Sequence, residues 1–379
     1  MSLRDDSLPL AASGCDNLAD SLVALTEDVF EVRSIRRRLA SAEFGLASSN
    51  KGTVLELMGK MRVPSDRAYR LISERFRVNG YLALFRRSAD GEIVIALPGE
   101  LPKARSRVWL ALLLFLATLA SVLMAGSTAG PETDFLTGLL SGWPFAASLL
   151  GILAAHEFGH YLVSRKLGVP SSLPYFIPLP LSFLGTLGAV IQMKAPPYNR
   201  RALLAIAAAG PLAGLAVALP VLVLGLKLST VEALPTTGPY FQEGNSLIYA
   251  AIKLLVFGRF LPAGGQDVFL HPVAMAGWTG LLVTGLNLIP AGQLDGGHIA
   301  YALLGERARW LTWGVVAALV GLSLLWNGWA VWVALVLVFG RVHAVPLDDI
   351  TPLRTFERAL VFALAVVFAL VFTPMPMAF

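Results

Sequence analysis

The chain has 379 residues, of which 56% are hydrophobic and only 15% charged, and its mean hydropathy is +0.67. That is too apolar for an ordinary soluble domain and fits an integral membrane protein with a modest soluble part. Its 30 basic residues outnumber 25 acidic ones for a net charge of +5. They cluster beside apolar runs, which points to membrane topology and away from nucleic acid as a partner.

Residues 1–49 read as a mobile or partly helical N-terminal segment. Its basic run, Arg33, Arg36, Arg37 and Arg38, is expected on a solvated helix face. Cys15 is the only cysteine, which excludes an intrachain disulfide and a cysteine metal cluster. A small α+β domain is predicted over 50–100. Pro64-Ser65-Asp66 opens a helix whose apolar stripe is Tyr69, Ile72 and Phe76, and strand-like runs at 81–87 and 92–97 flank an Asp90-Gly91 turn. The first 100 residues hold no charged-then-apolar signal peptide, so the N-terminus is expected in the cytoplasm.

Residues 105–379 are expected to form the transmembrane part. An uncharged run at 108–131 follows Lys103, Arg105 and Arg107, which hold its start in the cytoplasm. A second span begins near 136 and closes at Arg165-Lys166. A third, 202–226, lies between Arg200-Arg201 and Lys227, and a fourth, 272–290, returns to the cytoplasm. The stretch 310–340 is uncharged and longer than one helix needs, and Asn327-Gly328 splits it in two. With a final helix at 360–373, the expected fold class is an all-α polytopic membrane protein. It has about seven transmembrane helices beside the small soluble domain. The ends of the second and fourth spans then lie at one cytoplasmic depth.

Those two ends carry the chemistry. His156-Glu157-Phe158-Gly159-His160 sets two imidazoles one helical turn apart, where both can hold one Zn²⁺, with Glu157 placed to act on a water. A catalytic zinc site needs a third protein ligand. Asp295 is the best candidate, because no Asp, Glu, Lys or Arg occurs from 268 to 294 and a lone carboxylate at that depth is costly without a cation. A helix cap, a buried pair with an arginine, or ligation by His298 instead are the competing readings. Pro290, Gly292, Gly296 and Gly297 break the helix there and let backbone approach a site. His271 and His343 read as loop residues at membrane boundaries.

HEFGH at 156–160 together with NLIPAGQLDGGH at 287–298 resembles the site-2 protease family of intramembrane zinc metalloproteases, with a core from about 135 to 305. AGPLAG at 209–214 is also similar to that family. GTLGAVI at 185–191 and the N-terminal module resemble its plastid and cyanobacterial-type subgroup. The loop from 227 to 271 is too short for the family's PDZ domain. The resemblance implies one Zn²⁺ per chain on His156, His160 and Asp295, with Glu157 as the catalytic carboxylate. It also implies that Asn287 lies near the scissile peptide, either steadying an oxyanion or ordering the Asp295 loop. The substrate it implies is a transmembrane protein in a lipid bilayer, cut by regulated intramembrane proteolysis.

Residues 173–193 are apolar yet dense in proline and glycine, so they cannot be one helix. They read as an interfacial loop or as a re-entrant hairpin whose strand pairs with an unwound substrate. On the second reading Gly188, Ala189, Val190 and Ile191 contact substrate. Two other function classes compete, a non-catalytic membrane scaffold or chaperone and a metal transporter. The chain retains the glutamate and shows no internal repeat, which count against each in turn. A bacterial plasma membrane is preferred, because no transit peptide is apparent. Oligomeric state is open.

Overall fold

The computed structural model describes residues 19–39, 53–88, 91–101, 107–127, 133–235, 241–339 and 345–378. They fall into two compact units. Among the described residues, the first is built on four antiparallel strands and a helix, preceded by a short helical run at 19–24: β1 (Phe30–Leu39), β2 (Thr53–Met61), α1 (Ser65–Val78), β3 (Tyr81–Ser88) and β4 (Gly91–Pro98). The sheet order is β1-β2-β4-β3. Pro64 precedes α1 at φ −51°, and Asp66 lies in its first turn, where acidic charge suits the helix dipole. Ala68, Tyr69, Ile72 and Phe76 form its buried stripe, and the Tyr69 ring meets Phe85 of β3 edge-on at 5.1 Å. The β3–β4 hairpin runs in register from Tyr81↔Pro98 to Ser88↔Gly91.

Two features depart from the sequence reading. The basic run at 33–38 lies on β1, not on a helix: pairing with β2 satisfies its backbone, while its arginines stay exposed. The unit also extends beyond 50–100, taking in Pro197–Asn199 and Val345–Pro352. The outer edge of β3 recruits the second segment. Phe85 N–H donates to Leu347 O at 2.8 Å, and Asp349 N–H donates to Phe85 O at 3.1 Å. Asp348, fully buried, accepts from the amides of Ile350 and Thr351. An exposed edge of unpaired amides is thereby covered.

The second unit is mainly helical. Its elements are α2 (Val108–Ala125), α3 (Phe135–Ser141), α4 (Trp143–Lys166), β5 (Tyr175–Pro178), β6 (Thr186–Val190), α5 (Arg200–Lys227), β7 (Thr230–Ala233), β8 (Gln242–Glu243), α6 (Leu247–Phe257), β9 (Gln266–Phe269), α7 (Pro272–Asn287), α8 (Asp295–Leu304), α9 (Ala308–Leu322), α10 (Gly328–Phe339), α11 (Thr355–Val371) and β10 (Met377–Ala378). Among the described residues, α2 and α5 are long and apolar enough to cross a membrane. The pair α3 and α4 makes a third candidate, bent by 46°. Pro144, at the start of α4, cannot continue the helix that ends at Ser141. The remaining helices are shorter, so the structure supports two or three spans by length and composition where about seven were expected. The uncharged stretch from 310 divides into α9 and α10, with Trp326, in the break, packed edge to face on Trp329 of α10.

Among the described residues, the short strand pairs β5–β6, β7–β9 and β8–β10 modify the all-α expectation for this unit. The β5–β6 hairpin falls in the proline- and glycine-rich stretch. Its register runs from Tyr175↔Val190 to Pro178↔Thr186 with a bulge after Ile177. Phe176 packs edge-on against Phe115 of α2, and Ser121 Oγ donates to Gly185 O at 2.5 Å. Helices α4, α5 and α7 pack closely because small residues line their contacts. A Cβ on Gly277 of α7 would lie 2.6 Å from Leu222 Cα of α5.

Candidate metal centre

Helix α4 runs unbroken through the HEFGH segment, so the four-residue spacing puts His156 and His160 on one face, both buried. Asp295 comes from the other side of a helix break at 288–294, which contains two of the expected helix breakers, Pro290 and Gly292. Helix α7 stops at Asn287, the chain turns through Gly292 at φ +56°, and α8 starts at Asp295 itself. The turn needs a residue free to adopt the left-handed region, and glycine supplies it. Gly296 could not carry a side chain, since its Cβ would lie 2.1 Å from Leu288 O.

The three side chains converge. His156 Nε2 lies 3.2 Å from Asp295 Oδ2, and His160 Nε2 lies 3.3 Å from Asp295 Oδ1. The two Nε2 atoms are 3.2 Å apart, and the ligand atoms all fall within 4.8 Å of one another. Asn287 Nδ2 stands 3.4 Å from His156 Nε2. His160 Nδ1 is 2.7 Å from the carbonyl of Ile206 on α5. The carbonyl can only accept, so Nδ1 carries a proton, and the contact fixes the ring with Nε2 facing Asp295.

Around this cluster lies a cavity of about 180 Å³. Glu157, Ala189, Val190, Ile191, Asn287 and Gln293 are among the residues lining it. Glu157 is buried, and its carboxylate faces the backbone amide of Ile191, just past β6. Gly188 is not part of the wall. It sits on β6 opposite Ile177 with φ +104°. His298 lines the same cavity outside the three-ligand group. His271 caps α7, its Nδ1 accepting from Val273 N–H at 3.2 Å, and His343 lies outside the described residues. Residue patterns did not flag Ile206, because it acts through its backbone. Nor did they single out as a site residue Gln293, which the fold brings to the wall.

Among the described residues, the cavity wall holds two carboxylates and three imidazoles but no Lys or Arg. Two imidazoles and a carboxylate converging in a buried cavity form the donor set of an open, catalytic-type zinc site. The residues therefore fit a single divalent cation of that class.

Residues 144–326, which contain all of these groups, match Peptidase family M50. The chain is 35% identical over 218 residues to "Probable zinc metalloprotease EGY2, chloroplastic" of Arabidopsis thaliana, covering 57% of this chain and 38% of the relative. It is 35% identical over 226 residues to "Probable zinc metalloprotease EGY1, chloroplastic" of the same plant, covering 58% and 40%. The corresponding rice protein, from Oryza sativa subsp. japonica, is 33% identical over 263 residues, covering 66% and 44%. The chain thus spans less than half the length of each of these relatives.

Proposed function

Because residues 144–326 carry a Peptidase family M50 domain around these ligands, we propose that the protein is an intramembrane zinc metalloendopeptidase. It hydrolyses a peptide bond within or near a transmembrane segment of another membrane protein. The observation that carries this reading is the meeting of His156, His160 and Asp295 beside a buried Glu157 in one cavity. Relatives named as zinc metalloproteases support the metal. The membrane setting is supported by two or three apolar spans. The seven-span topology stays part of the proposal. The expected bacterial plasma membrane gains nothing from the relatives, whose names say chloroplastic, and the reading here is an integral membrane enzyme.

His156, His160 and Asp295 hold the zinc, which when bound supplies Lewis-acid polarisation of the peptide carbonyl. Glu157 takes the proton from the attacking water and delivers it to the departing amine as the C–N bond breaks. Its burial keeps that exchange away from bulk water. Asn287 offers a neutral N–H donor beside His156, placed to steady the developing oxyanion. Among the described residues strand β6 pairs with β5 alone, and its other edge is the one offered to an extended substrate, with Ala189 to Ile191 along the cavity and Gly188 one step behind. A helical peptide shields its amides, so an edge strand that draws it extended explains how a spanning segment is opened for attack.

The test is cleavage of a single-span substrate by the purified protein, wild type beside Glu157→Gln, with zinc measured in both. The variant is expected to keep zinc and lose on the order of 10²–10⁴-fold in turnover. A Glu157→Gln protein that cuts at the wild-type rate would sink the reading. The scaffold and transporter readings predict that this substitution is silent.

A further inference from the structure

One side of the metal centre is made by residues that supply no ligand. Helix α5 passes so close to α4 that a Cβ on Gly159 would lie 2.6 Å from Ala209 O. At Gly210 the approach is to the metal-facing ring itself. A Cβ there would fall 2.0 Å from His160 Nε2, 2.4 Å from Cδ2 and 2.5 Å from Cε1. Non-bonded carbons and nitrogens sit roughly 3.5–4.0 Å apart at their optimum, so no methyl fits without moving the ring or the helix. One turn on, a Cβ at Gly214 would meet His156 Cβ at 3.1 Å and Nδ1 at 3.2 Å, a much milder contact.

The ring has little room to yield. Its Nδ1 is tied to Ile206 O at 2.7 Å, and its Nε2 faces His156 Nε2 and Asp295 Oδ1 at 3.2 and 3.3 Å. A side chain at 210 must therefore break the Ile206 contact, tip Nε2 out of line with Asp295, or push α5 away from α4. The first two act directly on metal binding.

We infer that Gly210 is a positioning residue of the metal site: its missing side chain leaves the space that His160 Nε2 needs to face His156 and Asp295. The inference rests on the zinc reading above and adds α5 to the parts of the chain that set zinc affinity. It also gives a physical reason for the glycines of the AGPLAG segment, since Gly210 faces one histidine and Gly214 the other.

The experiment compares zinc content and zinc affinity of the full chain, purified in detergent, for wild type, Gly210→Ala, Gly214→Ala and Gly151→Ala. Gly151 is the control: it lies on α4, and a Cβ there meets nothing within 4 Å. Gly210→Ala is expected to bind zinc on the order of 10–100-fold more weakly, as losses of ligand-orienting contacts do. Gly214→Ala should lose a few-fold, and Gly151→Ala nothing. Thermal unfolding of the zinc-free proteins adds a cycle with His160→Ala. Once the imidazole is gone, adding Gly210→Ala should cost almost no further stability, and the double variant should fold even where Gly210→Ala alone does not. Wild-type zinc affinity in Gly210→Ala overturns the inference. So does an equal loss of stability with and without the His160 ring, because the clash would then be one of helix packing. A wild-type protein that holds no zinc removes the metal site itself, and this inference with it.

Discussion

Two clusters of ionisable groups are buried among the described residues of the second unit, and they solve the same problem in opposite ways. Near β8 and β9, Lys253 is 1% exposed and sits between two carboxylates, 3.6 Å from Glu243 Oε1 and 3.9 Å from Asp267 Oδ1. Tyr249 donates to Glu243 at 2.8 Å, and the Lys253 ammonium lies 4.6 Å from the Tyr249 ring centroid. The chain supplies its own cation there. Around His156, His160, Asp295 and Glu157 the described residues of the cavity wall include no basic side chain other than imidazole, although two carboxylates are present. Burying charge in low dielectric is costly unless it is compensated. One cluster is balanced from within and is structural. The other is built to be balanced by a bound cation, and a cavity leads to it.

The comparison breaks most sharply at Asp295. Asp295→Asn removes the only carboxylate among the three converging ligand groups and should abolish bound zinc as measured by elemental analysis. Full zinc retention would mean that another group, such as His298, completes the site.

Next in size is Lys253→Met, which keeps the bulk of the side chain but leaves Glu243 and Asp267 without their cation. Removing one partner of a buried ionic cluster typically costs roughly 3–5 kcal/mol. The loss should appear as a lower unfolding midpoint in detergent, with zinc content unchanged. Loss of zinc together with stability would show that the two clusters are coupled.

The smallest expected effect is on pH dependence. Burial raises the Glu243 carboxyl above its usual value of 4.5, against the opposing pull of Lys253 and the Tyr249 hydroxyl. The folded chain therefore keeps this proton to higher pH than the unfolded chain does, so stability falls as pH climbs above 4.5 and through the raised pKa. Glu243→Gln removes that slope. Unfolding profiles of wild type and variant that stay parallel through this window would show that Glu243 ionises as freely in the fold as outside it. Burial also lowers the Lys253 ammonium from 10.5, which gives the opposite slope at the alkaline end.

How much of this could be read from the residues differs by element. Helix α1 was legible because Tyr69, Ile72 and Phe76 recur at helical spacing behind a proline start, and the β3–β4 hairpin because Asp90-Gly91 separates two apolar runs. Strand β1 was not. Four arginines within six residues carry no period, and what makes that segment a strand is the unsatisfied edge of β2 beside it. Nor was the recruitment of 345–352, which depends on the free backbone edge of Phe85 more than 250 residues away. The bend between α3 and α4 was missed even though Pro144 sits at the kink, because an uncharged run reads as one span.

For the site, local sequence determined whatever a single helix or turn can set. The spacing of His156 and His160 puts both imidazoles on one face, Glu157 follows from its place in the same turn, and the glycines around Asp295 permit a broken backbone. The tertiary structure decided what lies between segments. It brought Asp295 to within 3.3 Å of both histidines across more than 130 residues of chain, aimed the Ile206 carbonyl at His160, and stripped Gly210 of any room for a side chain. Helical periodicity is written in the chain at short range, whereas the meeting of α4, α5 and α8 depends on how closely their small residues let the backbones pack.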